Sequence, residues 1–124
     1  LLGAQFAWHP ACSKEQIFQD MSRSNLLVNC SLKEAFSCVC SEAMALGLPL
    51  LRVQNGGFEE QLVPEETGFD LGCPSAEIRP EQVQLINRLR DPVACPESKL
   101  FKMATAARAR GRQFAAINYQ DWLL

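Results

Sequence analysis

Short apolar runs alternating with stretches of helical spacing constrain this chain more than any other feature. Leu26-Leu27-Val28, Pro49-Leu50-Leu51-Arg52-Val53 and Phe69-Asp70-Leu71 are long enough for strands and too short for helices, and Ala4 to Trp8 adds a fourth such run. The continuous apolar character of Leu26-Leu27-Val28 predicts a strand covered on both faces. Between the runs lie helix signals. Ser13-Lys14-Glu15-Gln16 has the form of a capping box, followed by Ile17, Phe18 and Met21 on one face, with an end near Ser24. Ser37 is placed to cap a helix that reaches Leu46, where Gly47 stops it. Gln54-Asn55-Gly56-Gly57 reads as a turn, Phe58 to Val63 as a short helix, and Pro64-Glu65-Glu66-Thr67-Gly68 as a second turn. Pro80 opens a helix carrying Val83, Ile86 and Leu89, which Asp91-Pro92 ends. A longer helix runs from Pro96 to Phe114 with Leu100, Met103, Ala107 and Phe114 inward, and Asn118 caps a final turn holding Trp122. The order β-α-β-α-β-α-β-α-α predicts an α/β fold: a Rossmann-like parallel sheet with right-handed crossovers, flanked by helices.

The 124 residues suffice for a single domain with a core of its own. A net charge of -2 does not favour nucleic acid. No apolar run approaches the roughly 20 residues of a membrane span, so membrane association is not indicated. The opening Leu1-Leu2-Gly3-Ala4 has neither an initiator Met nor a basic flank and suggests a chain cut from something larger. The six cysteines include no C-x-x-C pair, and His9 is the only His, so the spacing of a zinc site is lacking. Cys38 and Cys40, two apart on a helix, point in different directions. The cysteines read as buried apolar thiols, and the chain as a cytoplasmic protein of a reducing compartment. His9 reads as a surface residue at a strand end. Lys99, Lys102, Arg108, Arg110 and Arg112 read as a solvated helix face.

Chemistry concentrates in one segment. Glu34 and Glu42, with seven residues between them, bracket the start of the helix capped by Ser37. That start lies at the carboxyl edge of the predicted sheet, where α/β folds bind ligands. The amides of Ser37, Cys38 and Val39 carry the positive end of the helix dipole and can hold a phosphate or diphosphate. Glu42 lies about 7.5 Å further along the axis, roughly the reach from a diphosphate to its ribose. Glu34, on the preceding loop, faces the other side of that phosphate. Two glutamates at this spacing also fit an ordinary solvated first turn stabilised by the dipole, and both readings stand on the residues alone.

The stretch from Asn25 to Gly72 resembles the donor-binding half of GT-B retaining glycosyltransferases of the family-four type. That family carries a Glu-x7-Glu motif in the form E-G-F-G-x-x-x-x-E-A-M-A-x-G-x-P. This chain reads Glu34-Ala35-Phe36-Ser37, then Glu42-Ala43-Met44-Ala45-Leu46-Gly47-Leu48-Pro49. Gly56-Gly57, Glu60 and Thr67-Gly68 follow at matching spacings, Asn25 to Ser31 is similar to the family's strand ending in Ser, and Arg110 to Trp122 to its closing helix.

The resemblance implies a partial C-terminal domain of a GT-B fold, the donor-binding portion of a retaining, metal-independent glycosyltransferase. The nucleotide-diphosphate sugar would be its substrate, with no cofactor and no metal; no Asp-x-Asp occurs. Glu42 would bind the ribose, and Glu34 would contact the donor sugar and stabilise charge during transfer. Backbone amides of Phe36, Ser37 and Cys38 would hold sugar hydroxyls and phosphates. Two family glycines are Ala35 and Ser37 here, so either the loop needs no positive φ or it is altered. The family's diphosphate-neutralising Arg and Lys, and its N-terminal acceptor-binding domain, lie upstream of the residues present. The implied portion would then be inactive alone. The competing implication is a non-catalytic GT-B-like binding or scaffold module.

Overall fold

Three strands pair in parallel in the computed structural model, which describes residues 7–72, 90 and 92–118. The elements are α1 (Lys14–Ser22), β1 (Leu27–Asn29), α2 (Cys38–Ala45), β2 (Leu50–Arg52), α3 (Phe58–Gln61), β3 (Gly68–Asp70) and α4 (Glu97–Asn118). The sheet order is β1-β2-β3, with Leu27 opposite Leu50 and Leu50 opposite Gly68. A helix lies in each connection, α2 between β1 and β2 and α3 between β2 and β3. This is the α/β, Rossmann-like arrangement that the alternation of runs implies.

The central strand explains why the apolar run at residues 49–53 is unbroken. Leu50 and Leu51 are both buried and point to opposite faces of the sheet. Leu50 joins Met21, Cys40, Ala43, Met44, Leu48, Phe58, Leu62 and Ala107 in one core. Leu51 joins Val53, Phe69, Leu71 and Met103 in the other. Helix α4 supplies Ala107 to the first core and Met103 to the second, so it packs against both. Each fully buried Leu or Met contributes on the order of 2 kcal/mol through removal from water. Gly68 in β3 has a steric cause: a Cβ there would lie 2.0 Å from the carbonyl oxygen of Leu50.

Local signals hold at the helix ends. Ser13 caps α1, its Oγ accepting from the Gln16 amide at 3.2 Å. The reciprocal half of the box is absent, because the Gln16 side chain donates forward to Asp20 at 3.0 Å. The amide of Glu15 and the Ser13 hydroxyl hold the Glu15 carboxyl below its ordinary range, as suits a first helical turn. Gly47 takes φ +86 just beyond α2, the left-handed stop its position implies.

Several expectations are corrected. Val28 is 52% exposed, so β1 is not covered on both faces; it is the edge of the described sheet. Ala7 and Trp8 are in neither helix nor strand, and the rest of the expected first strand lies outside the described residues. His9 therefore ends no strand there. Residue 90 and residues 92–94 are helical, so Pro92 does not close the helical stretch. Helix α4 continues past Phe114 to Asn118, because Ala115 and Ala116 are good helix formers. The helix expected from Pro80 to Leu89 and the turn at Trp122 lie outside the described residues. Of the described cysteines only Cys40 is buried; Cys30 and Cys38 are exposed, and Cys12 and Cys95 lie between. Cys38 and Cys40 face different ways, as their spacing requires.

Candidate functional site

At the carboxyl edge of the sheet, β1 ends in Asn29 and α2 begins after Ser37. Ser37 is fully buried and caps the helix, its Oγ accepting from the Cys40 amide at 3.3 Å. The same oxygen accepts from Asn29 Nδ2 at 3.3 Å, and that amide nitrogen also donates to Glu34 Oε2 at 3.4 Å. Asn29 thus joins the loop carboxylate to the head of the helix. Its Oδ1 accepts from the Ser31 amide at 3.1 Å, which holds the chain as it leaves the strand.

Ser37 also settles the missing glycines. It sits at φ -85, and among the described non-glycine residues only Glu65 has positive φ. The loop therefore needs no glycine at Ala35 or Ser37. A serine adds what glycine lacks there, a side-chain oxygen for the cap and for Asn29.

Cys38 and Val39 occupy the first two positions of α2 and are exposed, with no acceptor for their amides among the described residues. Such amides are free for an anion. The Phe36 ring does not face that end. It packs edge-on against Phe114 of α4, with centroids 5.4 Å apart and planes at 71°. Glu42, a turn further along, is mostly buried and pairs with Lys14 of α1 at 3.0 Å. The structure thus brings Glu34, Asn29 and Ser37 together and places Glu42 against α1.

Burial pushes the Cys40 thiol up from its ordinary pKa, and the Ser37 hydroxyl partly offsets this. The neutral thiol belongs to the core beneath the helix head. Among the described residues no group of three or more His, Cys, Asp or Glu side chains is disposed to hold a metal ion.

Sequence reasoning did not anticipate the polar layer below this edge. Arg52, at the end of β2, is fully buried. Its guanidinium donates to the carbonyl oxygen of Gly56 at 2.9 Å, that of Gly57 at 3.5 Å, and the side chains of Asn55 and Gln61. Gln61 Nε2 donates in turn to the Ser37 carbonyl and to Ser41 Oγ, both at 2.7 Å. Only the alternation of β2 hinted at this: Arg52 shares a face with Leu50, which is interior. The Gly56-Gly57 turn also gains a cause. A Cβ on Gly56 would lie 2.3 Å from the Glu34 carbonyl oxygen, and one on Gly57 2.7 Å from that of Ala35. The turn lies directly against the loop that carries Glu34. Beside it opens a cleft of about 510 Å³ whose described lining is Gln54, Asn55, Gly57, Phe58, Glu59 and Glu60.

The sequence model of glycosyl transferases group 1 matches residues 1–91, which includes β1 to β3 and the whole of this edge. The chain belongs to that family. No curated protein matches it. Arg110, expected on a solvated face, instead serves the fold: its guanidinium donates to the carbonyls of Glu60 at 2.8 Å and Glu59 at 3.2 Å, satisfying the end of α3. Lys99 pairs with Glu65. No helix among the described residues is long and apolar enough to cross a membrane.

Proposed function

We propose that this chain is the donor-binding portion of a retaining, metal-independent glycosyltransferase, moving a hexose from a UDP-, GDP- or ADP-type donor in the cytoplasm. The reading rests above all on the convergence of Glu34, Asn29 and Ser37 at the head of α2 in a chain of this family. The amides of Phe36, Ser37, Cys38 and Val39 hold the diphosphate and sugar hydroxyls. Glu42 accepts from the ribose hydroxyls, sharing its carboxylate with Lys14. Glu34, steadied by Asn29, contacts the donor sugar and stabilises positive charge as the sugar leaves. The nucleotide sugar is the substrate, and no cofactor takes part. An upstream acceptor-binding domain and its cationic groups complete the site, so this portion is inactive alone.

Titration with UDP, GDP and ADP tests the reading. A nucleotide at about a hundred times its Kd stabilises the chain by about 2.7 kcal/mol and raises Tm. Glu42→Ala abolishes that rise. Saturable binding that survives Glu42→Ala removes the ribose role. Transfer of sugar by the 124 residues at enzyme-like rates overturns the claim of inactivity. A second reading, a non-catalytic binding or scaffold module, draws on the Lys14 pair, which already occupies Glu42. The absence of binding by all three nucleotides favours it.

A further inference from the structure

Arg52 is a poor device for stability alone. Its guanidinium is fully buried, and among the described residues every acceptor around it is neutral and its Nε has no partner. Neither ion pair seen among the described residues includes it. A buried charge without a counter-charge costs several kcal/mol before its hydrogen bonds repay any of it, and an apolar side chain of like volume often serves a core as well. What an apolar residue cannot supply is a rigid planar fork that reads several acceptors at once. Here the fork gathers Asn55 Oδ1 and the carbonyls of Gly56 and Gly57, three consecutive residues of one turn.

That turn lies in backbone contact with the Glu34 and Ala35 carbonyls. The other arm of the network runs through Gln61 to the Ser37 carbonyl, which also accepts from the Ser41 amide at 3.1 Å and the Ser41 hydroxyl at 3.3 Å. Asn55 closes the circuit by donating from Nδ2 to the Ser31 carbonyl at 2.5 Å, on the segment that leads into Glu34. We propose that Arg52 is the positioning residue of the donor site: its buried guanidinium seats the Gly56-Gly57 turn under the Glu34 loop and, through Gln61, fixes the head of α2. The proposal builds on the donor-binding reading above. It accounts for a buried cation, for two glycines and for Gln61 through a single geometry.

The test uses Arg52→Lys, which keeps charge without the fork, and Gln61→Glu. The latter keeps volume, gives Arg52 a carboxylate and removes the donor to Ser37. Two readouts are taken on the whole chain: UDP affinity, and backbone amide resonances with α4 as an internal reference. Both variants shift the amides of Glu34 and Ala35, which neither altered side chain touches, while those of residues 100–107 stay in place. UDP affinity falls about tenfold or more, the usual scale for a site loosened by a fraction of an ångström. A role confined to stability lowers Tm and leaves the Glu34 and Ala35 resonances and UDP affinity unchanged in the folded variants, and that result overturns the proposal. If the unaltered chain binds none of UDP, GDP and ADP, the donor reading fails by itself, and the amide pattern still decides whether Arg52 positions the loop.

Discussion

Where Met44 and Ala45 of α2 lie against Gly111 of α4, packing is close and the side chains are apolar, and Ala107 fills the core beside them. At the head of the same helix the buried atoms are polar: Ser37, Ser41, Gln61 and Arg52. The first region is specified by volume, since any hydrophobic set of the right size removes the same surface from water. The second is specified by pairing, because each buried donor or acceptor needs a partner at a set distance and angle. Their proximity lets a stiff seam carry a shaped edge. A mutation in the seam should move stability alone, whereas one at the head should also alter what the edge can hold.

The largest effect tests the seam. A Cβ on Gly111 would lie 2.4 Å from the Ala45 nitrogen and 2.5 Å from the Met44 carbonyl carbon, so neither neighbour can yield without moving a helix. Gly111→Ala is expected to cost about 3 kcal/mol in urea unfolding, by forcing α2 and α4 apart. A neutral or stabilising result, as helix propensity alone predicts, would mean the seam is loose.

A smaller loss tests the head. Ser37→Ala removes the cap on the Cys40 amide and one acceptor of Asn29, at an expected cost of about 1–2 kcal/mol. The sharper expectation is that nucleotide affinity falls by more than this stability loss explains. Proportional losses would merge the two regions into one.

Cys40 belongs to both regions, being packed in the core and bonded through its amide to Ser37. Burial holds its thiol pKa above that of the unfolded chain. The native state therefore keeps the proton after the unfolded thiol, near pH 8.5, has released it. Stability from this group is full below that pH and is lost as pH rises toward the native pKa. The urea midpoint should decline above about pH 8.5, and Cys40→Ala should flatten that decline. An unchanged slope in the variant would place Cys40 outside the dry seam.

The fold was largely legible before any coordinates. Ser13, Ser37 and Gly47 marked helix ends through chemistry acting within four residues, β2 was marked by its apolar run, and α4 showed its inward face by periodicity. The site was legible in part. Ser37 could be placed as a cap, and Glu34 on the loop before it. Asn29 gave no signal, because its tie to both depends on the strand delivering it to the helix head. Val28 was misread because an apolar residue looks the same at a sheet edge as at its centre.

Local rules, then, were enough to determine the alternation of strand and helix, the caps, and the loop that carries Glu34 into the head of α2, because each involves residues close along the chain. Tertiary structure alone decided that Arg52 is interior, that Gly56 and Gly57 lie under the Glu34 loop, that Lys14 reaches Glu42, and that Arg110 caps α3. Those outcomes join residues up to 51 positions apart. Their energies depend on which groups lose water together, and that is set by how distant segments pack.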